Sequence, residues 1–235
     1  MFVWRWLVDV LFRKSDESLS FLLLFLVILL FVVYPFFPFE GIGRYAIDVF
    51  TALVLISSTI AVERRTWRRF ALALAGLTLL TRWATYASPS RELLIVHAML
   101  GILFLTFASA VILGRVFAGG PVTRHRIEGA VAVYLLIGLA FGSLYALIAL
   151  LHPGAFEMAN LELAGDARGT YDRLTGRFSY FSFVTLTTVG YGDVTPLSPV
   201  AKQFAVLEGL IGQLYPAILL ARLVSMELAG RREDA

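Results

Sequence analysis

Six long apolar stretches set the plan of the chain. Leu, Phe, Val and Ile fill positions 19–37 almost without a break, and comparable runs occupy 45–62, 70–86, 91–117, 127–151 and 199–224. Each is of the length a helix needs to cross a hydrocarbon core about 30 Å thick. Most of the breaks between them are short and carry turn residues or charge: Tyr34-Pro35-Phe36-Phe37-Pro38, the arginines at 64, 65, 68 and 69, Ser88-Pro89-Ser90, and Gly119-Gly120-Pro121. Two stretches depart from this pattern. Residues 1–17 interleave Phe2, Trp4, Trp6, Leu7, Leu11 and Phe12 with Arg5, Asp9, Arg13 and Lys14, which predicts a helix lying in the membrane interface. Residues 178–187 are apolar and aromatic but too short to cross, so they predict a helix that dips into the membrane and returns; such a segment is tolerated only where protein or water surrounds it. The polar run 152–177 before it is expected to be a solvated turret.

Composition agrees with this layout. The chain has 235 residues, 59% of them hydrophobic and 16% charged, too apolar for a soluble domain. The net charge of +3 is spread over loops and is no nucleic-acid footprint. Without cysteine there are neither disulfides nor thiolate metal sites. His97, His125 and His152 lack metal-ligand spacing, and no nucleophile–base set, paired carboxylates or phosphate loop points to an enzyme. Loop charge gives an orientation. With both termini on the cytoplasmic side of a cell membrane, the inner loops hold 13 of the 20 Lys and Arg, the arginines of 64–69 deciding it.

The stretch Thr187-Thr188-Val189-Gly190-Tyr191-Gly192-Asp193 resembles the selectivity-filter signature of potassium channels, and 178–224 as a whole resembles the pore region of their six-helix superfamily, in a prokaryotic form lacking an arginine-rich voltage sensor. The resemblance implies a homotetramer around one pore. It also implies K⁺ held by the carbonyls of Thr188, Val189, Gly190 and Tyr191 and by the Thr188 hydroxyl, with Gly190 and Gly192 supplying the positive φ that aligned carbonyls require. In that family two tryptophans brace the filter where this chain has Tyr180 and Phe181. Tyr180 can offer its hydroxyl to Asp193. Phe181 cannot donate to Tyr191, which leaves Thr185 as its remaining brace and predicts easier collapse at the outer mouth. Val184 stands where some members carry a glutamate.

The sixth stretch holds Glu208, Gly209, Gly212 and Pro216. Gly212, nineteen positions after Asp193, has the spacing of a hinge in the resembling channels; close packing against the pore helix is the other reading, and the one preferred for Gly209. Pro216 removes a helical hydrogen bond one turn further on. Glu208, costly in lipid, is expected to accept from Thr185 or Ser182 and brace the filter, or to sit as a protonated, satisfied core carboxyl. Asp48 and Arg82 are candidates to pair near the outer ends of their spans, Glu128 suits the start of the fifth helix, and His97 reads as a core residue. Positions 93–114 contain neither Arg nor Lys, so steep voltage gating is not expected. Positions 225–235 are too short for a nucleotide- or calcium-binding domain, so no cytosolic ligand-binding domain is expected in this chain.

The fold expected is therefore an all-α membrane protein with six transmembrane helices, a re-entrant pore helix and a filter loop. Its parts are an interfacial helix at 1–17, a four-helix unit at 18–117, a short linker at 118–126 that favours packing of that unit on its own subunit's pore, a pore domain at 127–226, and a cytoplasmic tail at 227–235. The pore domain divides into a helix at 127–151, the turret at 152–177, the pore helix at 178–187, the filter at 188–193 and the inner helix at 199–224. Its partners are lipid, K⁺ and three further copies of itself, with no cofactor besides the ions.

Overall fold

The computed structural model describes residues 17–37, 41–62, 64–118, 122–158 and 167–233. Helix α1 (Glu17–Ile28) runs through a π-helical turn, Leu29–Val33, into a last helical segment, Tyr34–Phe36. The turn widens just ahead of Pro35, whose ring crowds the preceding turn and which has no N–H to give. Helices α2 (Gly41–Ile60), α3 (Arg65–Ala87), α4 (Arg91–Val116) and α5 (Arg124–Leu151) follow; then strand β1 (Phe156–Met158), α6 (Ala167–Leu186), strand β2 (Val194–Pro196) and α7 (Pro199–Glu233). Six segments are long and apolar enough to cross a membrane: Ser18–Phe36, Gly43–Ile60, Arg65–Ala87, Arg91–Val116, Arg124–Leu151 and Pro199–Met226. The protein is an all-α membrane fold.

Local chemistry fixes several helix ends. Ser90 Oγ accepts from the Leu93 N–H at the start of α4. Ser198 Oγ accepts from the Ala201 N–H at the start of α7, with Pro199 in the first helical position, where its missing N–H costs nothing. Arg115 donates to the Ala61 carbonyl (2.9 Å) just past the end of α2.

Several boundaries differ from the sequence reading. Arg65, Arg68 and Arg69 lie inside α3 rather than in a loop, since arginine is a good helix former. The interfacial helix expected at 1–17 falls outside the described residues except for Glu17, and 119–121 of the linker are likewise outside them. The largest difference is α6. It begins at Ala167, not 178, so 167–177 of the expected solvated turret is helix. Tyr171, Leu174, Phe178, Ser182 and Leu186 are all buried, and their spacing of three or four marks one helix face. Arg168, Asp172, Arg173 and Arg177 hide that period in the sequence.

By packing, the chain forms two compact units that cut across the expected boundary between 18–117 and 127–226. One draws on Met1–Gly76, Phe107–Leu135 and Leu223–Ala235, the other on Leu77–Thr106 and Leu136–Arg222. In the first, α1 buries Leu19, Leu22 and Leu26, the π-helical turn buries Leu29, and α1 comes close to α5 at Gly129, where a Cβ would stand 3.0 Å from Leu19. Ser20 hydrogen-bonds both His125 (3.0 Å) and Glu128, and Arg124 pairs with Glu128 at 2.8 Å. Trp67 and Phe70 of α3 pack on Phe107 of α4 at 5.8 and 5.0 Å between ring centroids.

In the second unit, α6 is the buried centre. It lies on two glycines of α5 one turn apart: a Cβ at Gly142 would stand 2.8 Å from Ser179 Cα, and one at Gly138 would stand 2.5 Å from the Phe183 ring. Around this contact Tyr145, Phe156, Phe178 and Phe181 form an aromatic cluster, Phe156 and Phe178 only 4.6 Å apart. Arg82 of α3 forms an ion pair with Asp172 of α6 at 2.8 Å. His97 is buried, its Nδ1 3.2 Å from the Thr81 hydroxyl and its ring edge-on to Tyr171.

The glycine seat predicts a contrast between two substitutions of the same kind. Gly142→Ala forces backbone against backbone and is expected to cost about 1–3 kcal/mol, lowering the apparent unfolding temperature of the purified protein by several degrees. Gly76→Ala, with nothing within 4 Å of its added Cβ, is expected to leave that temperature unchanged or raise it. A thermal melt of both variants beside the parent checks this.

Candidate filter site

The site begins where α6 ends. The last carbonyls of a helix have no partner within it and must find donors elsewhere. Here the donors are the amides of the next residues: Thr188 N–H gives to Thr185 O (2.9 Å), Val189 N–H to Val184 O (2.9 Å), and Gly190 N–H also reaches Val184 O (3.3 Å). A trans peptide places its C=O opposite its N–H, and the described residues contain no cis peptide. The carbonyls of Thr187, Thr188 and Val189 therefore face away from α6.

The backbone beyond continues the pattern. Thr188, Gly190 and Gly192 have φ of 60°, 62° and 78°, while Val189 and Tyr191 between them keep negative φ. Alternating handedness gathers successive N–H groups on one side of the strand and the carbonyls on the other. Gly190 and Gly192 adopt this at no steric cost. Thr188 does not; a left-handed threonine costs roughly 1–2 kcal/mol, and the two hydrogen bonds that flank it hold it there. That third position was missed in the sequence, where only glycine signals positive φ.

The exit is tied down as well. Strand β2, directly after Asp193, pairs antiparallel with β1, Glu157 opposite Thr195. The Leu197 N–H gives to Ala155 O at 2.8 Å. β1 lies in what reads as a polar turret, yet Ala155 and Phe156 are buried. Behind the exit, the Tyr180 hydroxyl donates to the Asp193 carboxylate. Phe181 packs between Tyr145 (5.0 Å) and Phe156 (5.9 Å). Thr185 enters through its carbonyl. The filter's own side chains have few neighbours in one chain: Val189 is 53% and Tyr191 71% exposed.

α7 closes the site from behind. Glu208 is fully buried, taking a hydrogen bond from the Tyr145 hydroxyl (2.6 Å) on one carboxyl oxygen and meeting the Ser182 hydroxyl with the other. Of its two expected partners, Ser182 is the one in contact. Gly212 is the residue pressed on the end of α6: a Cβ there would stand 1.9 Å from Leu186 O. Gly209, read from the sequence as the packing glycine, has nothing within 4 Å of the equivalent position. Within the single chain Gly212 is thus the glycine that packs on α6, since spacing alone does not say which face of α7 meets α6. α7 passes through Pro216 without a break. Proline has no N–H, so the Gly212 carbonyl four residues earlier lacks its helical donor.

Residues 130–228, from α5 to α7, match the family described as "Ion channel". LctB of Bacillus caldotenax is 30% identical over 129 residues, which cover 52% of this chain and 92% of that protein. The chain belongs to this ion channel family. Two pore potassium channel c of Oryza sativa subsp. japonica is 40% identical over 95 residues, 40% of this chain and 17% of that protein. Two-pore potassium channel 3 of Arabidopsis thaliana is 47% identical over 49 residues, 21% of this chain and 11% of that protein. The chain therefore spans less than a fifth of the length of these two plant channels. No solved structure matches it. The matched span holds the filter loop and both helices that frame it, so the family assignment and the geometry concern the same residues.

The seat of α7 on α6 leaves no room for a side chain at Gly212. Gly212→Ala drives a methyl into a backbone carbonyl, and Gly209→Ala meets open space in the single chain. The first substitution is expected to abolish recovery of the assembled protein on size-exclusion chromatography. The second is expected to leave its elution unchanged.

Proposed function

We propose that the protein is a potassium-selective channel, a homotetramer in the cell membrane with both termini cytoplasmic and a single pore lined by four copies of the 188–193 loop. The observation that carries this reading is the backbone of the loop: φ alternates in sign from Thr188 to Gly192, and the amides are turned back onto α6. A K⁺ ion leaving water needs oxygens in place of its hydration shell. The carbonyls of Thr188, Val189, Gly190 and Tyr191, with the Thr188 hydroxyl, are the ligands assigned. One loop is one wall of such a cage, which asks for four. The exposure of Val189 and Tyr191 supports it, as does α7: only 11% of its span is buried within the chain, against 56% for α5. The names of the plant relatives, two-pore potassium channels, point the same way.

Conduction in this reading is passive. No cofactor takes part beyond the ions themselves. The C-terminal end of α6 turns its dipole toward the entering cation, and Tyr180 steadies Asp193 at the outer mouth. Gating is assigned to α7 at Gly212 and Pro216, where one helical hydrogen bond is missing and one face has no side chain. Splaying of α7 at that point widens the inner mouth. The Arg82–Asp172 pair, joining α3 to α6 inside one chain, supports packing of the four-helix part on its own subunit's pore.

The reading is tested by flux. In liposomes carrying the purified protein, K⁺ flux is expected and Na⁺ is not expected to replace it. Gly190→Ala forces φ 62° on an alanine at about 1–2 kcal/mol per subunit, multiplied over four subunits, and is expected to abolish the flux. Equal passage of Na⁺ and K⁺ would instead mark a non-selective cation channel. No passage of either would mark a scaffold. In planar bilayers the open fraction is expected to change little over 100 mV, since each gating charge contributes about 2.3 kcal/mol over that range and residues 93–114 supply none.

A further inference from the structure

Glu208 of α7 stands where α5 and α6 meet, and its contacts can be counted proton by proton. The Tyr145 hydroxyl donates to Oε2 at 2.6 Å. Oε1 meets the Ser182 hydroxyl, and that same hydroxyl lies 2.6 Å from the Gly138 carbonyl. A carbonyl only accepts, and a serine has one hydrogen to give. With that hydrogen spent on Gly138, the contact between Ser182 and Glu208 needs a hydrogen from the carboxyl. Facing Glu208 are Tyr145 from α5 and Ser182 from α6; among the described residues no Arg, Lys or His pairs with it. A carboxylate there is a buried charge without a counterion, which is strongly disfavoured.

We propose that Glu208 is resident as the neutral carboxylic acid, donating to Ser182, and that removing its proton unfastens α6 from α5 and lowers ion flux. The protonated chain runs from Glu208 through Ser182 to the Gly138 carbonyl, and so holds the middle of the pore helix on α5 from α7. Once the proton leaves, the Ser182 hydrogen turns to the carboxylate and the Gly138 carbonyl loses its donor. α6 then loses a hydrogen bond that reinforces its glycine seat, and the loop amides anchored on Val184 and Thr185, two and three residues further along α6, lose a fixed base. The Glu208–Ser182–Tyr145 group is thus a positioning device for the filter that a proton controls.

Two readouts test it. The proton assignment is read by infrared difference spectroscopy of the full-length protein. A protonated-carboxyl C=O stretch, shifted by H/D exchange and missing from Glu208→Gln, is expected at neutral pH; its absence overturns the assignment whether or not the protein conducts. The flux clause rests on the potassium-channel reading. K⁺ flux in liposomes is expected to fall by about fivefold or more between about pH 6.5 and pH 9.5. In Glu208→Gln, whose amide donates to Ser182 without titrating, it is expected to stay level. A parallel fall in both proteins overturns the clause. Should Glu208→Gln not assemble, Ser182→Ala reads the same contact: flux already low at pH 6.5 and flat thereafter is expected, and a parental profile overturns the proposal. K⁺ flux absent from the parent at every pH overturns the channel reading and the flux clause with it, while the infrared band still decides the proton.

Discussion

Two carbonyls at the end of α6, those of Val184 and Thr185, hold the amides of Thr188, Val189 and Gly190. A helix end needs donors, and a loop that is to present carbonyls needs somewhere to put its N–H groups. Each requirement meets the other here, so the loop carbonyls face away from α6 because its amides are already used. The strained φ at Thr188 is tolerable for the same reason. Break this contact and the backbone of 188–192 has no cause to alternate.

A loop held from a helix end is only as fixed as that helix. α6 is seated on Gly138 and Gly142 of α5, pressed at its end by Gly212 of α7, and joined to α3 through Arg82 and Asp172. The far end of the loop is fastened independently, by the β1–β2 ribbon and the Leu197–Ala155 bond. The glycines matter here mainly for closeness. Removing a side chain lets two backbones touch, which is what makes the position of α6 insensitive to the rotamers around it. The Glu208 group adds a buried polar contact to this packing, joining α7 to α5 and α6.

Much of this was legible in the sequence, and what was not has physical causes. The six spans follow from run length, since a hydrocarbon slab imposes a length on any helix that crosses it. Gly190 and Gly192 announce positive φ because glycine alone adopts it freely; Thr188 gives no such sign, because its conformation is imposed by α6. The start of α6 was hidden by Arg168, Asp172, Arg173 and Arg177, whose charges interrupt an otherwise regular buried face. Asp172 is buried beside Arg82, ninety positions earlier, and no local pattern announces a pair so far apart in the chain. Ser182 was a readable partner for Glu208, two turns of helix suggesting the level. Tyr145 was not, since nothing local marks one tyrosine of α5 as facing inward. Gly209 and Gly212 differ by less than one turn, and only contact with Leu186 tells them apart.

The central claim is that the loop binds K⁺ through its carbonyls, and ion binding to the assembled protein tests it most directly. A ligand that binds only the folded assembly raises its unfolding temperature, and the rise grows with the logarithm of its concentration above the dissociation constant. Titrating K⁺ and Na⁺ separately, at constant ionic strength, into the purified protein is expected to give a rise in unfolding temperature with K⁺ and little change with Na⁺, and no K⁺-dependent rise in Gly190→Ala. Identical curves for the two ions in the parent protein would contradict the account.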